Sequence, residues 1–212
     1  MKKKLIIIAL MFSVYFRGIA QEAKLISECT VFFDVSVEGT KVDPRVAKSM
    51  AGTTKVLYIK GTKSRSDLLT PGFKQTTFAD SKTDSTIILR ELGSTKYISY
   101  LRESKKKEQN KKYEGIQFNN TSEKKTILGY MCKKVVAKLT NGSAYNVFYT
   151  PSITTSNKEY EYQFKDLPGL VLEYEEESED GKTKIKYSAI KITLDPVPDA
   201  KFDLPKSGYR II

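Results

Sequence analysis

The sequence predicts a mainly β protein, and two observations carry this prediction. Apolar and polar residues alternate in several short segments, for example over residues 31–38, with the period of two that is typical of a half-buried strand. Asn141-Gly142 and Asp180-Gly181 each separate two such segments, and these residue types tolerate the positive φ angles of a tight hairpin. The chain is therefore expected to form an antiparallel sheet built largely from hairpins.

Each predicted element follows from a local pattern. Asp43-Pro44 resembles a helix N-cap followed by proline at the first helical position, which predicts one short helix ending at Gly52. The basic run over residues 104–112 has no apolar period and is expected to be an exposed loop or hairpin tip. Pro168-Gly169 supplies a fixed φ and then a permissive one, which predicts a turn before the strand that follows. The further predicted strands are 54–62, 75–80, 86–92, 96–102, 127–139, 144–150, 170–177 and 182–194.

The N-terminus has the pattern of a signal peptide, predicted over residues 1–20. Three lysines precede an apolar run from Leu5 to Phe16, and Gly18-Ile19-Ala20 is a small-residue cleavage site. The run is shorter than the roughly 20 residues that span a bilayer. We expect an exported protein of the periplasm or outer membrane, with residues 21–212 forming one domain and no transmembrane span in the mature chain.

The composition indicates which kinds of partner are favoured and which catalytic arrangements are excluded. The formal net charge of +11 favours anionic partners such as lipid headgroups, while nucleic acid is a poor partner for an exported protein. The chain contains no histidine, which removes Ser-His-Asp and Cys-His catalytic arrangements and the usual zinc ligands. We expect no enzyme, no catalytic residue, no cofactor and no metal.

Cys29 and Cys132 are the two cysteines. An even number in an oxidising compartment allows a disulfide, which would close a loop of about 100 residues and stabilise the fold. Cys132 lies in an apolar segment, however, and a buried free thiol is common there. Both alternatives stay open on the sequence.

Three segments together resemble the GLPGLI family of exported proteins from Bacteroidetes-type bacteria. Asp166 stands where the family name has its first glycine, Val171 stands where it has the final isoleucine, and Phe148 occupies a position where tryptophan is frequent. The first half of the mature chain is similar to periplasmic proteins with a lipoprotein-carrier-like fold. The three segments are 126–134, 148–153 and 166–171.

The resemblance implies a single antiparallel sheet curled into an incomplete barrel, with one or a few short helices against its opening. Carriers of that shape hold acyl chains in an apolar concavity. No catalytic residue is implied, because the family has none defined.

These inferences favour a non-enzymatic periplasmic module that binds an acyl lipid or a lipoprotein. The alternative is a structural or protein-interaction component of the cell envelope without a small ligand, for which the thirteen tyrosines would suit protein recognition. Strand alternation alone does not distinguish an open pocket from a filled core. The candidate cavity residues are the large apolar groups of the strand faces: Phe33, Val35, Leu57, Ile59, Ile88, Tyr97, Phe148, Leu170, Leu172 and Tyr187.

Overall fold

The computed structural model describes residues 23–39, 42, 44–177 and 183–212. The predicted signal peptide, the predicted N-cap Asp43 and the predicted turn Asp180-Gly181 lie outside the described residues.

The described residues confirm a mainly β fold with two short α-helices. The helices are α1 Pro44–Met50, at the predicted position, and α2 Glu103–Asn110; single 3₁₀ turns cover Lys111–Tyr113, Tyr162–Phe164 and Asp199–Phe202. No helix in this part of the chain is long and apolar enough to cross a bilayer. The strands are β1 Lys24–Ile26, β2 Glu28–Glu38, β3 Thr54–Lys60, β4 Lys63–Thr70, β5 Phe73–Asp80, β6 Ser85–Leu92, β7 Thr95–Leu101, β8 Gln117–Ile127, β9 Tyr130–Lys138, β10 Ala144–Thr150, β11 Ile153–Thr155, β12 Leu170–Glu177, β13 Lys184–Thr193 and β14 Arg210–Ile211.

Twelve strands form one large sheet that is not closed into a barrel. Its order is β14-β7-β6-β5-β4-β3-β2-β13-β12-β10-β9-β8, and every neighbouring pair is antiparallel except β14 with β7. The two halves of the chain join where β2 pairs with β13, from Thr30 opposite Thr193 to Glu38 opposite Lys184. Strands β1 and β11 form a separate parallel pair.

The two faces of the sheet bury different sets of residues. On the inner face, β2 and β3 contribute fully buried apolar side chains that pack with β9, β10, β12 and β13 into the main core. A second cluster of Phe78, Leu89 and Ile98 lies on the opposite face and packs against the C-terminal residues Phe202 and Leu204. The C-terminal segment therefore covers the outside of the β5–β7 region, and Arg65 holds it through a 2.6 Å hydrogen bond to the carbonyl oxygen of Lys201.

Three local predictions were wrong, each for a physical reason. The basic run 104–112 forms α2 and a 3₁₀ turn; the helix has no apolar face, and an ion pair between Lys107 and Glu103 four residues apart supports it. The segment 127–139 contains a hairpin turn, so that β8 lies before it and β9 within it. Strand β4 was not predicted because its polar sequence lacks an apolar alternation.

Cys29 and Cys132 are both free and both buried, so the free-thiol alternative describes this structure. Cys29 lies on β2 and Cys132 on β9, with β13, β12 and β10 between them in the sheet. Burial raises the pKa of the Cys29 thiol to about 12 and that of Cys132 to about 11, which keeps both protonated at neutral pH.

The glycine of Pro168-Gly169 is required by a close approach of two backbones. Its φ lies outside the left-handed region, so the sequence-based reason for glycine here was wrong. A Cβ at Gly169 would lie 2.8 Å from Cδ2 of Tyr149 and would collide with the carbonyl oxygen of Thr150. The start of β12 therefore packs directly on the end of β10, where Thr150 pairs with Leu170.

We expect Gly169→Ala to lower the free energy of unfolding by about 3 kcal/mol, because the added methyl group meets backbone that cannot rotate away. Urea unfolding followed by circular dichroism measures the change. Gly142→Ala is the control: its φ is +90° and no atom lies within 4 Å of the new Cβ, so only backbone strain of about 1 kcal/mol applies. Equal losses in the two variants would contradict the close-approach explanation.

The β8–β9 hairpin turns through Leu128 and Gly129, whose φ angles are 51° and 82°. Two central residues with positive φ define the turn type that favours Asn-Gly, and a leucine is strained there. Leu128 is also 41% exposed, so burial offsets little of the strain.

Leu128→Asn should therefore raise the free energy of unfolding by about 0.5–1 kcal/mol, since asparagine tolerates this backbone conformation. Leu92→Asn serves as the comparison, because Leu92 is also an exposed leucine, at 62%, and has no positive φ. If Leu128→Asn lost more stability than Leu92→Asn, the explanation that the backbone at Leu128 is strained would be contradicted.

Candidate functional site

A cavity of about 290 Å³ lies against the inner face of strands β3 to β7. The register places Lys55 opposite Leu68, Ser66 opposite Thr77, and Ala79 opposite Thr86, so these side chains share one face of the sheet. Small residues on that face leave the space that larger side chains would fill. The sheet residues lining the cavity are Lys55, Ser64, Ser66, Leu68, Gln75, Thr77, Ala79, Asp80, Ser85, Thr86, Leu101, Tyr174, Glu176 and Tyr187.

Two further segments cover the cavity. Helix α2 and the 3₁₀ turn after it contribute Lys106, Gln109, Asn110 and Tyr113, and Lys106 forms an ion pair with Asp84 at the β5–β6 turn. The loop between β11 and β12 contributes residues 159–163. Asn157 secures this loop because its side-chain amide donates a 3.0 Å hydrogen bond to the carbonyl oxygen of Thr62.

Lys55 is a buried cation at the inner end of the cavity. It is 5% exposed, and its Nζ donates hydrogen bonds to the carboxylate of Glu161 and, at 2.6 Å, to the hydroxyl of Tyr174. The same Nζ lies 5.7, 5.0 and 5.3 Å from the ring centroids of Phe33, Tyr174 and Tyr187. Carboxylate, hydroxyl and ring faces together compensate the buried charge.

Tyrosines lie close to Glu161 and Glu176. The ring of Tyr174 stacks on that of Tyr187 with centroids 4.5 Å apart, and the Tyr187 hydroxyl donates to Glu176 at 3.4 Å. Burial, followed by the negative charge of Glu176, raises the pKa of Tyr113, Tyr145 and Tyr187 well above the ordinary value. These hydroxyls therefore stay neutral and act as hydrogen-bonding groups.

The predicted cavity residues lie mostly in the packed core. Ile88 is also buried, and Tyr97 is half-buried on β7. Tyr187 is the one predicted residue that lines the cavity. Whether any of the ten contacts a ligand stays a prediction. The core members are Phe33, Val35, Leu57, Ile59, Phe148, Leu170, Leu172 and Tyr187.

The polar members of the site were not predicted from the sequence. Lys55, Glu161 and Glu176 come from β3, a loop and β12, and nothing in their spacing along the chain connects them. One signal was available: Lys55 shares the alternation of Leu57 and Ile59, so a charged residue occupied a core-facing position.

The arrangement is suited to binding. The cavity combines carboxylates, amides, hydroxyls and ring faces, whereas the thiols of Cys29 and Cys132 are not among its lining residues. Within the described ranges, no group of three or more acidic, cysteine or histidine side chains could hold a metal ion.

A scan against protein-family models finds none that matches the chain, and a search of curated proteins finds no match. The resemblance to the GLPGLI family therefore stays a prediction.

Solved structures give remote similarities. PNGF-II in a C2 crystal form is 16% identical with a TM-score of 0.48; the match covers 86% of this chain and 30% of that one, so this chain spans under a third of its length. An uncharacterized conserved protein from Thermus thermophilus is 12% identical with a TM-score of 0.46; the match covers 88% of this chain and 90% of that one. A DUF1329 family protein from Desulfovibrio piger is 10% identical with a TM-score of 0.38; the match covers 84% of this chain and 90% of that one. No functional conclusion follows at these TM-scores.

Lys55→Met should lower the free energy of unfolding by about 3 kcal/mol, because it leaves the partly buried carboxylate of Glu161 without its cation. The double variant Lys55→Met/Glu161→Gln should lose less than the sum of the two single variants, since it removes both charges. Urea unfolding measures all three. Lys107→Met, which breaks an exposed ion pair with Glu103, should change stability little; strictly additive losses at Lys55 and Glu161 would contradict the coupling.

Proposed function

We propose that this protein is an exported, non-enzymatic binding protein of the cell envelope, in the periplasm or at the outer membrane, whose cavity takes the polar head of a lipid or lipoprotein. The supporting observation is the inner-face cavity, in which buried polar groups lie beside apolar ones. The N-terminal signal pattern supports export.

The size of the cavity favours a headgroup over a whole acyl chain. Small-molecule pockets usually occupy about 300–1,000 Å³, and this cavity, at about 290 Å³, lies at the lower end. The apolar core beside it is filled: Leu170 and Leu172 have no exposed surface. An acyl chain would therefore leave the cavity through its opening and would not enter the core.

The lining supports amphiphile binding. Leu68, Ala79 and Leu101 provide apolar contact on the sheet and at the α2 side, while Gln163 and Glu176 provide hydrogen-bonding groups. A few placed polar groups among apolar and aromatic ones is the usual composition of a specific small-molecule site.

A second candidate function is protein recognition without a small ligand. Strand β8 is an edge of the large sheet, and it is eleven residues long and mostly exposed. Such an edge can accept a strand from a partner. Lys124 and Lys125 on β8 argue against indiscriminate pairing, because charged residues on an edge discourage it.

Native mass spectrometry of the mature protein, purified from periplasm without detergent, tests the first proposal. We expect a bound amphiphile that organic extraction releases, and we expect Ser66→Phe to lose it because the new ring fills the cavity. Ser122→Phe is the matched control, since Ser122 is exposed on β8 and far from the lining; it should retain the ligand.

Circular dichroism establishes that both variants remain folded. A clean protein mass for the parent, with no uptake of fluorescent lipid afterwards, would contradict the proposal. Loss of a captured envelope protein in Ser122→Phe but not in Ser66→Phe would favour the edge-strand alternative.

A further inference from the structure

The cavity is acidic although the chain is basic. Its lining carries the carboxylates of Asp80, Glu159, Glu161 and Glu176 against two ammonium groups, those of Lys55 and Lys106. The chain as a whole has a formal net charge of +11. Lys106 is in addition engaged by Asp84, which lies outside the lining. A site of this sign attracts cations and repels anions.

Glu176 is a partly buried carboxylate of the lining that has no ion pair among the described residues; Glu159, which also has none, is exposed to solvent. Glu161 has Lys55, and Asp80 accepts a 2.9 Å hydrogen bond from the backbone N–H of Lys82. Glu176 receives two long hydrogen bonds, at 3.4 Å from the Tyr187 hydroxyl and at 3.5 Å from Nε2 of Gln163, and it forms no ion pair with any described lysine or arginine. A partly buried carboxylate in this state gains from a cationic partner.

An independent feature beside Glu176 also lacks a partner. Gln163 is 6% exposed and lines the cavity, and its Oε1 accepts no hydrogen bond within the described part of the chain. The hydroxyl of the buried Tyr145, which does not line the cavity, also has no hydrogen-bond partner in the described residues. Buried polar groups without partners are uncommon, and a bound ligand or water is one way to complete them.

The ammonium group of Lys55 shows how this cavity binds a cation. Lys55 Nζ is bound by a glutamate, a tyrosine hydroxyl and three ring faces. Glu176, the Gln163 amide oxygen and the Tyr187 hydroxyl offer a similar set of groups with no ammonium on them. The acceptors on offer are few and mixed with rings, which suits an organic ammonium group, since metal ions prefer several convergent oxygens.

We propose that the cavity binds the ammonium group of an amine-bearing amphiphile between the carboxylate of Glu176 and the side-chain oxygen of Gln163. This inference rests on the proposed binding function and names its ligand class.

The test uses three six-carbon amphiphiles that differ in charge: hexylammonium, 1-hexanol and hexanoate. Isothermal titration measures their binding to the mature protein, first stripped of any ligand by organic extraction and refolding, or left intact where none co-purifies. We expect hexylammonium to bind at least about tenfold more tightly than hexanol, and hexanoate to bind most weakly. The preference should fall as salt is raised.

Glu176→Gln should remove the preference for hexylammonium while leaving hexanol binding in place. Glu177→Gln is the matched control, because Glu177 is the next residue of β12, is exposed, and does not line the cavity; it should keep the preference. If Glu176→Gln loses its circular dichroism spectrum, Gln163→Met carries the same test, since it removes the unpartnered acceptor.

The outcomes separate the two proposals. Equal or tighter binding of hexanol or hexanoate, or an unchanged preference in folded Glu176→Gln, overturns the ammonium inference and leaves the binding function standing. Absence of binding by all three compounds, together with a parent protein that carries no ligand, overturns both.

Discussion

The site depends on the interactions of the buried ammonium group of Lys55 with Glu161 and Tyr174. A cation on an inner-face strand position cannot stay in an apolar core without partners. Its partners come from elements far apart in the chain: Glu161 from the loop after β11, Tyr174 from β12, and the rings of Phe33 and Tyr187 from β2 and β13. One charge therefore holds the loop against the sheet and determines one wall of the cavity.

The cavity itself arises from a change in side-chain size across one face of the sheet. At β2 and β3 the inner face carries Phe33, Leu57 and Ile59, which are fully buried and fill the space beneath them. At β4 and β5 the same face carries the smaller side chains of Ser66 and Thr77, which leave space and line the cavity. Dense packing thus gives way to a cavity without any break in the hydrogen-bonded ladder. The outer face of β5–β7 avoids exposure in another way, because the C-terminal segment packs over it.

The covering elements keep the cavity small and polar. Helix α2 has no buried residue, so its position depends on polar and ionic contacts, such as the ion pair between Lys106 and Asp84, and not on an apolar stripe. Together with the loop before β12, it encloses a set of acidic and hydroxyl groups that differ in sign from the surface as a whole. Among the described residues Glu176 has hydrogen bonds from Tyr187 and Gln163 but no ion pair, so positive charge and hydrogen-bond donors from a ligand would complement it.

The sequence by itself determined the β class, the helix at α1, the Asn141-Gly142 hairpin and most of the inner-face apolar positions, because these depend on periods of two and on the φ preferences of a few residues. Only the tertiary structure decided which of those apolar positions are packed and where the empty space lies, since that depends on what stands opposite each side chain across the sheet. It also decided that residue 169 must be glycine, because the backbone of Thr150 leaves no room for a Cβ. Lys55, Glu161 and Glu176 likewise line one cavity only because of the tertiary structure. Lys55 lies more than a hundred positions before both glutamates in the chain, and a local sequence pattern contains no information about contacts at that separation.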